Sequence, residues 1–331
     1  MKVIRLLTAL LTAMTLGACD ADLRELCYDH NHFGDLNVRF DWPHAPALNA
    51  KGMTVLFFRD VQTTAEPERY DFSGNEGGRA RLGTGSYRAL AYNNDTETIL
   101  YRYGDDYDGA TTIDALEAYT RRSSIEEGTQ LSRSGMPRAK NTEDEPVILE
   151  PDPLCGAGYD LFALGIGEAK TITMMPHMRT REVTITIHNV PNLKYTSQFG
   201  GALSGLAASK KMLSGMPGEY CATQAFSGYV AGDSTVVMHF RTFGHCPKAT
   251  KGELNSHILA VYAILADGSK WYYTVDVSDQ MHDTPTPEDP DEDVDITIEL
   301  DGLPLPKPIV NGSGFQPTVD GWQGVEIEVG M

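Results

Sequence analysis

Apolar and polar residues alternate one by one along segment after segment of this chain, and that period of two predicts strands. Near the start, Leu36, Val38, Phe40 and Trp42 alternate with Asn37, Arg39 and Asp41. In the second half, Val183, Ile185 and Ile187 alternate with Thr184, Thr186 and His188. Val294, Ile296, Ile298 and Leu300 alternate with Asp295, Thr297 and Glu299. At the far end, Val325, Ile327 and Val329 alternate with Glu326 and Glu328. Residues 53–58 form a denser apolar run, which predicts a strand covered on both faces. Residues 87–92, 147–149, 172–174, 236–240, 258–265 and 271–277 predict further strands. Gly83-Thr84-Gly85, Asn93-Asn94-Asp95 and Asp267-Gly268 mark turns between them.

One segment reads as a helix, residues 112–122, where Ile113 with Leu116 and Ala115 with Tyr119 stand at three- and four-residue spacing. Residues 123–146 are polar and charged and predict a long surface loop, open to proteases. The stretch PTPEDPDEDVD, ending at Asp295, predicts a solvated acidic loop. Strands at short intervals, with no regular alternation of strand and helix, predict an all-β fold of sandwich type. We divide the chain into residues 1–18, a signal peptide; 19–34, a tether; 35–178, a first β-sandwich; and 179–331, a second.

The signal is read from MKVIRLLTALLTAMTLGAC. Lys2 and Arg5 open it, an apolar run follows, and small residues precede Cys19. The run is too short to serve comfortably as a spanning helix, and no later stretch approaches the roughly 20 apolar residues that one needs. A cysteine directly after Gly17-Ala18 resembles a bacterial lipoprotein signal, which predicts cleavage before Cys19, a lipid on Cys19 and attachment to a membrane through that lipid.

Charge excludes one class of partner. The chain holds 46 acids and 27 bases, a net charge of −19. Two of the bases and none of the acids lie in residues 1–18, so 46 acids face 25 bases in the rest, a net −21. Such a surface repels nucleic acid and anionic headgroups, so membrane contact is expected from the lipid alone. Besides Cys19 there are Cys27, Cys155, Cys221 and Cys246, an even number that permits two bridges in an oxidising compartment. Cys221 and Cys246 flank a predicted hairpin and are the favoured pair.

Catalytic motifs are absent: there is no G-x-S-x-G, H-E-x-x-H or G-x-x-x-x-G-K-[ST]. Asp29, His30 and His32 hold metal-ligating groups at strand spacing, but nothing nearby completes a site. Asp105, Asp106 and Asp108 lack the closing glutamate of a calcium loop. We expect no catalytic residues, no metal and no cofactor. Tyr101, Tyr103 and Tyr107 beside those aspartates are the best candidate platform for a sugar face, with core packing as the plainer reading.

Several features coincide in order along the chain. Cys19 is followed by Asp20 and Asp22, then by Leu26-Cys27-Tyr28-Asp29-His30, the alternating strand at Leu36, Gly52-Met53-Thr54-Val55, Gly85-Ser86-Tyr87-Arg88-Ala89-Leu90 and, later, Gly201-Ala202-Leu203-Ser204-Gly205. Together they resemble an uncharacterised family of Bacteroidetes lipoproteins within the fimbrillin superfamily of surface pilus subunits. The resemblance implies two transthyretin-like or immunoglobulin-like β-sandwich domains, a location at the outer membrane or cell surface, and other surface or pilus subunits as partners. It also implies assembly by β-strand addition. In that superfamily an arginine-directed protease removes the first strand of stem subunits, and a terminal strand of a neighbour fills the gap; anchor subunits keep lipid and strand. Here the first strand would comprise Leu36, Val38, Phe40 and Trp42. Residues 43–52 contain Lys51 and no arginine, which favours a retained, anchored subunit. Val325, Ile327 and Val329 would be the donor residues, unless they form an edge strand of their own domain. The alternative function is a surface lipoprotein that binds a glycan or host protein on its loops.

Overall fold

The computed structural model describes residues 32–60, 66–104, 111–131, 135–246, 256–283, 295–308 and 321–327. Its first half contains β1 (Phe33–Phe40), β2 (Gly52–Arg59), β3 (Glu68–Ser73), β4 (Gly77–Gly83), β5 (Gly85–Asn93), β6 (Ile99–Tyr103), β7 (Leu116–Thr120), α1 (Ile125–Thr129), β8 (Val147–Ile148), β9 (Cys155–Leu164), β10 (Ala169–Met174) and β11 (His177–Met178). The second half contains β12 (Arg181–His188), β13 (Thr196–Ala207), β14 (Ser209–Lys211), β15 (Cys221–Val230), β16 (Val236–Thr242), β17 (Ile258–Leu265), β18 (Lys270–Asp276), α2 (Ser278–Asp283), β19 (Ile296–Asp301) and β20 (Trp322–Ile327). The fold is an all-β sandwich built from several sheets. No helix among the described residues is long and apolar enough to cross a membrane.

Three layers make up the first half. A three-stranded sheet, β10-β1-β4, covers one face of a five-stranded sheet, β11-β9-β5-β2-β3. Leu36, Val38, Leu82 and Ile172 from the first sheet meet Met53, Val55, Phe57 and Phe162 from the second. A third sheet, β14-β7-β6, covers the opposite face of the five-stranded one, where Leu56, Phe58 and Leu90 meet Ile99, Leu116 and Ala118. β2 is thus buried on both faces from Gly52 to Phe58, as its unbroken apolar run predicts. Cys155 lies in the first of these cores, and burial pushes its thiol up to about 12, so it stays protonated at neutral pH.

The second half is one sheet in the order β19-β12-β16-β15-β13-β17-β18-β20, with β8 beside β15. It curls into a half-barrel around a core that includes Ile185, Leu203, Phe240, Val261, Tyr273 and Ile298. Phe226 and Phe240 stack inside it with centroids 4.0 Å apart. The Asp267-Gly268 signal turns β17 into β18, with Gly268 at a φ of +83° that suits glycine.

Three expectations need correction. Residues 112–122 are a 3-10 turn (Ile113–Ala115) followed by β7, not a helix. β7 pairs with β6 and β14, so tertiary pairing overrides a weak periodicity in a short segment. Residues 123–146 are not a plain surface loop. Ile125, Leu131 and Met136 cover the outer face of the half-barrel against Ala202, Ala225 and Tyr262. Tyr262 ties this cover down by donating from its hydroxyl to the Pro137 carbonyl at 2.6 Å. The segment therefore packs on the second sheet although it was assigned with residues 35–178. Lastly, Phe33 and Gly34, placed in the tether, belong to β1.

Candidate functional site

The strand that the resemblance singles out lies at the centre of its sheet. β1 pairs antiparallel with β4, from Phe33 opposite Gly83 to Arg39 opposite Gly77. On its other side it pairs in parallel with β10, from Asp35 opposite Ala169 to Phe40 opposite Met174. Both rows of backbone groups are used, and taking β1 away would leave β4 and β10 facing each other across an empty slot. Leu36 and Val38 are each only 1% exposed, and Phe40 packs half-buried beside them.

Trp42 is a correction to the expected strand. β1 ends at Phe40. The Asp41 N–H still donates to the Met174 carbonyl at 3.0 Å, but Pro43 brings no N–H to continue the ladder. The Trp42 ring stays near Phe40, and its indole N–H donates to the Asn75 carbonyl at 2.9 Å. Beyond it, Lys51 has an exposed side chain and a tethered backbone. Its N–H donates to Asp95 Oδ2 at 2.8 Å, and its carbonyl accepts from the Gly74 N–H at 2.8 Å. Arg39 points to solvent from within β1, where its backbone is held on both sides.

The terminal strand starts three residues earlier than Val325. β20 pairs in parallel with β18, from Trp322 opposite Lys270 to Ile327 opposite Val275. Val325 and Ile327 pack half-buried against the half-barrel core, while Val329 lies outside the described residues. Gly324 lies over the Tyr272 ring, where a Cβ would come within 2.6 Å of the ring atoms, so glycine lets the strand cross there. Among the described residues no strand pairs with the outer edge of β20. That edge carries unpaired N–H and C=O groups of the kind that accept another chain.

The remaining candidates divide. Cys221 and Cys246 are bridged, with Cα atoms 5.1 Å apart. Cys19, Cys27, Asp29, His30, Asp105, Asp106, Tyr107 and Asp108 lie outside the described residues. Tyr101 and Tyr103 are not a sugar platform: with Ile99 they take the inward face of β6 and pack on the core beneath, Tyr101 with its ring 4.4 Å from that of Tyr92. Leu100 and Arg102 take the outward face. One cluster went unnoticed in the sequence, the histidines His245, His257 and His282, which the fold collects at one end of the half-barrel.

Comparison with known proteins adds to this geometry. Residues 18–227 match the sequence profile of a family described as a domain of unknown function, DUF5119. No curated protein matches the chain. Among solved structures, a candidate adhesin from Bacteroides ovatus shares 19% identity at a TM-score of 0.54, over 84% of this chain and 95% of that one. A candidate adhesin from Bacteroides thetaiotaomicron shares 12% identity at a TM-score of 0.50, over 82% and 91%. These two likenesses establish a shared fold. The fimbrial anchor protein Mfa2 from Porphyromonas gingivalis, at 14% identity over 81% and 90%, superposes more loosely, at a TM-score of 0.48.

Proposed function

The chain belongs to the DUF5119 family, and from that premise we propose that it is a lipid-anchored, non-enzymatic cell-surface protein, an anchor or accessory subunit of a fimbria-like assembly. Cys19 carries the lipid, and the two halves of the chain act as two sandwich domains behind it. Neighbouring subunits join by β-strand addition. The observation that supports this reading most is the position of β1, a first strand that fills its own slot between β4 and β10 and is followed by a loop without arginine. A subunit that keeps its first strand has no vacant slot to offer there, which suits the base of an assembly better than its repeating stem. The adhesin descriptions of proteins with the same fold lean the same way.

The second contact is assigned to β20, which would have to leave β18 and its own half-barrel core for a partner's groove to read Val325, Ile327 and Val329. Alternating pockets select such side chains while main-chain hydrogen bonds supply much of the affinity. Deleting residues 321–331 removes β20, a half-buried edge strand, so the monomer is expected to stay folded by circular dichroism while co-purification with surface partners is lost. Undiminished co-purification would remove the donor role from β20. The glycan-binding alternative loses Tyr101 and Tyr103, which pack half-buried on a core of the first half.

A further inference from the structure

We infer that His245, His257 and His282 form a three-histidine site for a divalent transition-metal ion of the zinc type. One ligand nitrogen from each lies within 4.8 Å of the others. Nitrogens around a tetrahedral zinc at about 2.1 Å stand roughly 3.4 Å apart, so side-chain rotation of about an ångström closes the site. Three imidazoles with no carboxylate or thiolate suit zinc, copper or nickel and not calcium or magnesium. Three protein ligands also leave a fourth position for water or another small ligand.

The buried member is built as a ligand. His257 is fully buried, and its Nδ1 lies 3.2 Å from the Ser204 carbonyl. A carbonyl only accepts, so Nδ1 carries the proton and Nε2 keeps its lone pair. That Nε2 is buried with no hydrogen-bond partner. A backbone carbonyl on one ring nitrogen and an open lone pair on the other is the arrangement that orients metal-binding histidines. Without an ion the buried lone pair costs stability, and a metal would satisfy it.

The surrounding chain fixes all three. β13 has an irregularity between Leu203 and Leu206, with Gly205 at a φ of +75°. A Cβ at Gly205 would lie 2.7 Å from His257 Nδ1, so only glycine lets the chain pass behind the ring. The Cys221–Cys246 bridge and the Cys246 N–H, which donates to the Gly205 carbonyl at 2.9 Å, hold His245. His282 comes from α2, and the Ser278 hydroxyl on that helix accepts from the His257 N–H at 2.8 Å. The rings of His257 and His282 lie 5.0 Å apart, and His245 lies 6.0 and 6.2 Å from them. Burial pushes His257 down to about 4, and burial, Arg181, His282 and Lys210 push His245 down as well. Arg181 and Lys210 oppose a bound cation, and Asp276 beside His257 offsets part of that.

The test is calorimetric titration of Zn2+ into the purified full chain, oxidised and stripped with EDTA, with Co2+ absorption as a second readout. One equivalent should bind, and bound Co2+ should give a tetrahedral spectrum. His245→Ala and His282→Ala, whose side chains are only half-buried, should each weaken Zn2+ binding by at least about tenfold. His188→Ala, at an exposed pair with Glu299, should leave it unchanged. No uptake by the parent chain, or equal uptake by the His245→Ala, His282→Ala double variant, would overturn the site.

Discussion

A chain that begins at Pro43, and so lacks β1, fails to form its first core. Leu36 and Val38 leave that core together, at about 1.5–3 kcal/mol for each fully buried side chain, and the half-buried Phe40 goes with them. The two flanking ladders lose their partner, so β4 and β10 retain open edges over an uncovered apolar face. A loss of that size is comparable with the roughly 5–15 kcal/mol that holds an ordinary domain together. Thermal or urea unfolding followed by near-ultraviolet circular dichroism would show the first core gone. A synthetic peptide covering residues 32–42, added in trans, should restore it, because the slot reads the same alternating side chains from any chain. A truncated chain with an undisturbed unfolding transition would mean that β1 is an accessory to the sandwich and not its filling strand.

Replacing Cys221 and Cys246 together by alanine should lower stability by about 3 kcal/mol. The two residues are 25 apart in sequence, and closing a loop of that length restricts the unfolded chain by about this much. For a chain of 331 residues that unfolds as one unit, the melting temperature should fall by roughly 4–5 °C. The loss should appear under oxidising conditions and vanish when the parent chain is measured with reductant. An equal melting temperature for parent and variant without reductant would show that the bridge contributes no stability.

Strands with one wet face were readable by alternation, and β2 and β17, buried on both faces, by unbroken apolar runs; β13 was not. β1 and β12 announce themselves by alternation because one face of each meets the core. β13 is buried at every position from Phe199 to Ala207 and is rich in glycine and alanine, so it shows no period. The Ser124-x-x-Glu127 pattern did carry a helix signal: Ser124 Oγ accepts from the Glu127 N–H at 3.1 Å and starts α1. Its polar residues hid the few apolar anchors, Ile125, Leu131 and Met136, that fasten the segment to the half-barrel. The period of β6 could have placed Tyr101 and Tyr103 beside Ile99 on the inward face. The histidines form no spaced motif, since their proximity depends on the β17–β18 hairpin returning the chain to its start. His257 precedes β17 and α2 follows β18, so the hairpin alone brings His257 and His282 to one end of the sheet.

The central claim is that this subunit keeps both its lipid and its first strand. Mass spectrometry of the native N-terminus, on protein from the membrane fraction and from sheared surface material, tests it most directly. The account predicts a chain that starts at an acylated Cys19, carries β1 and stays with the membrane. A chain that starts after Lys51 or after an arginine, recovered from sheared fibres, would contradict it and identify a processed, polymerising subunit.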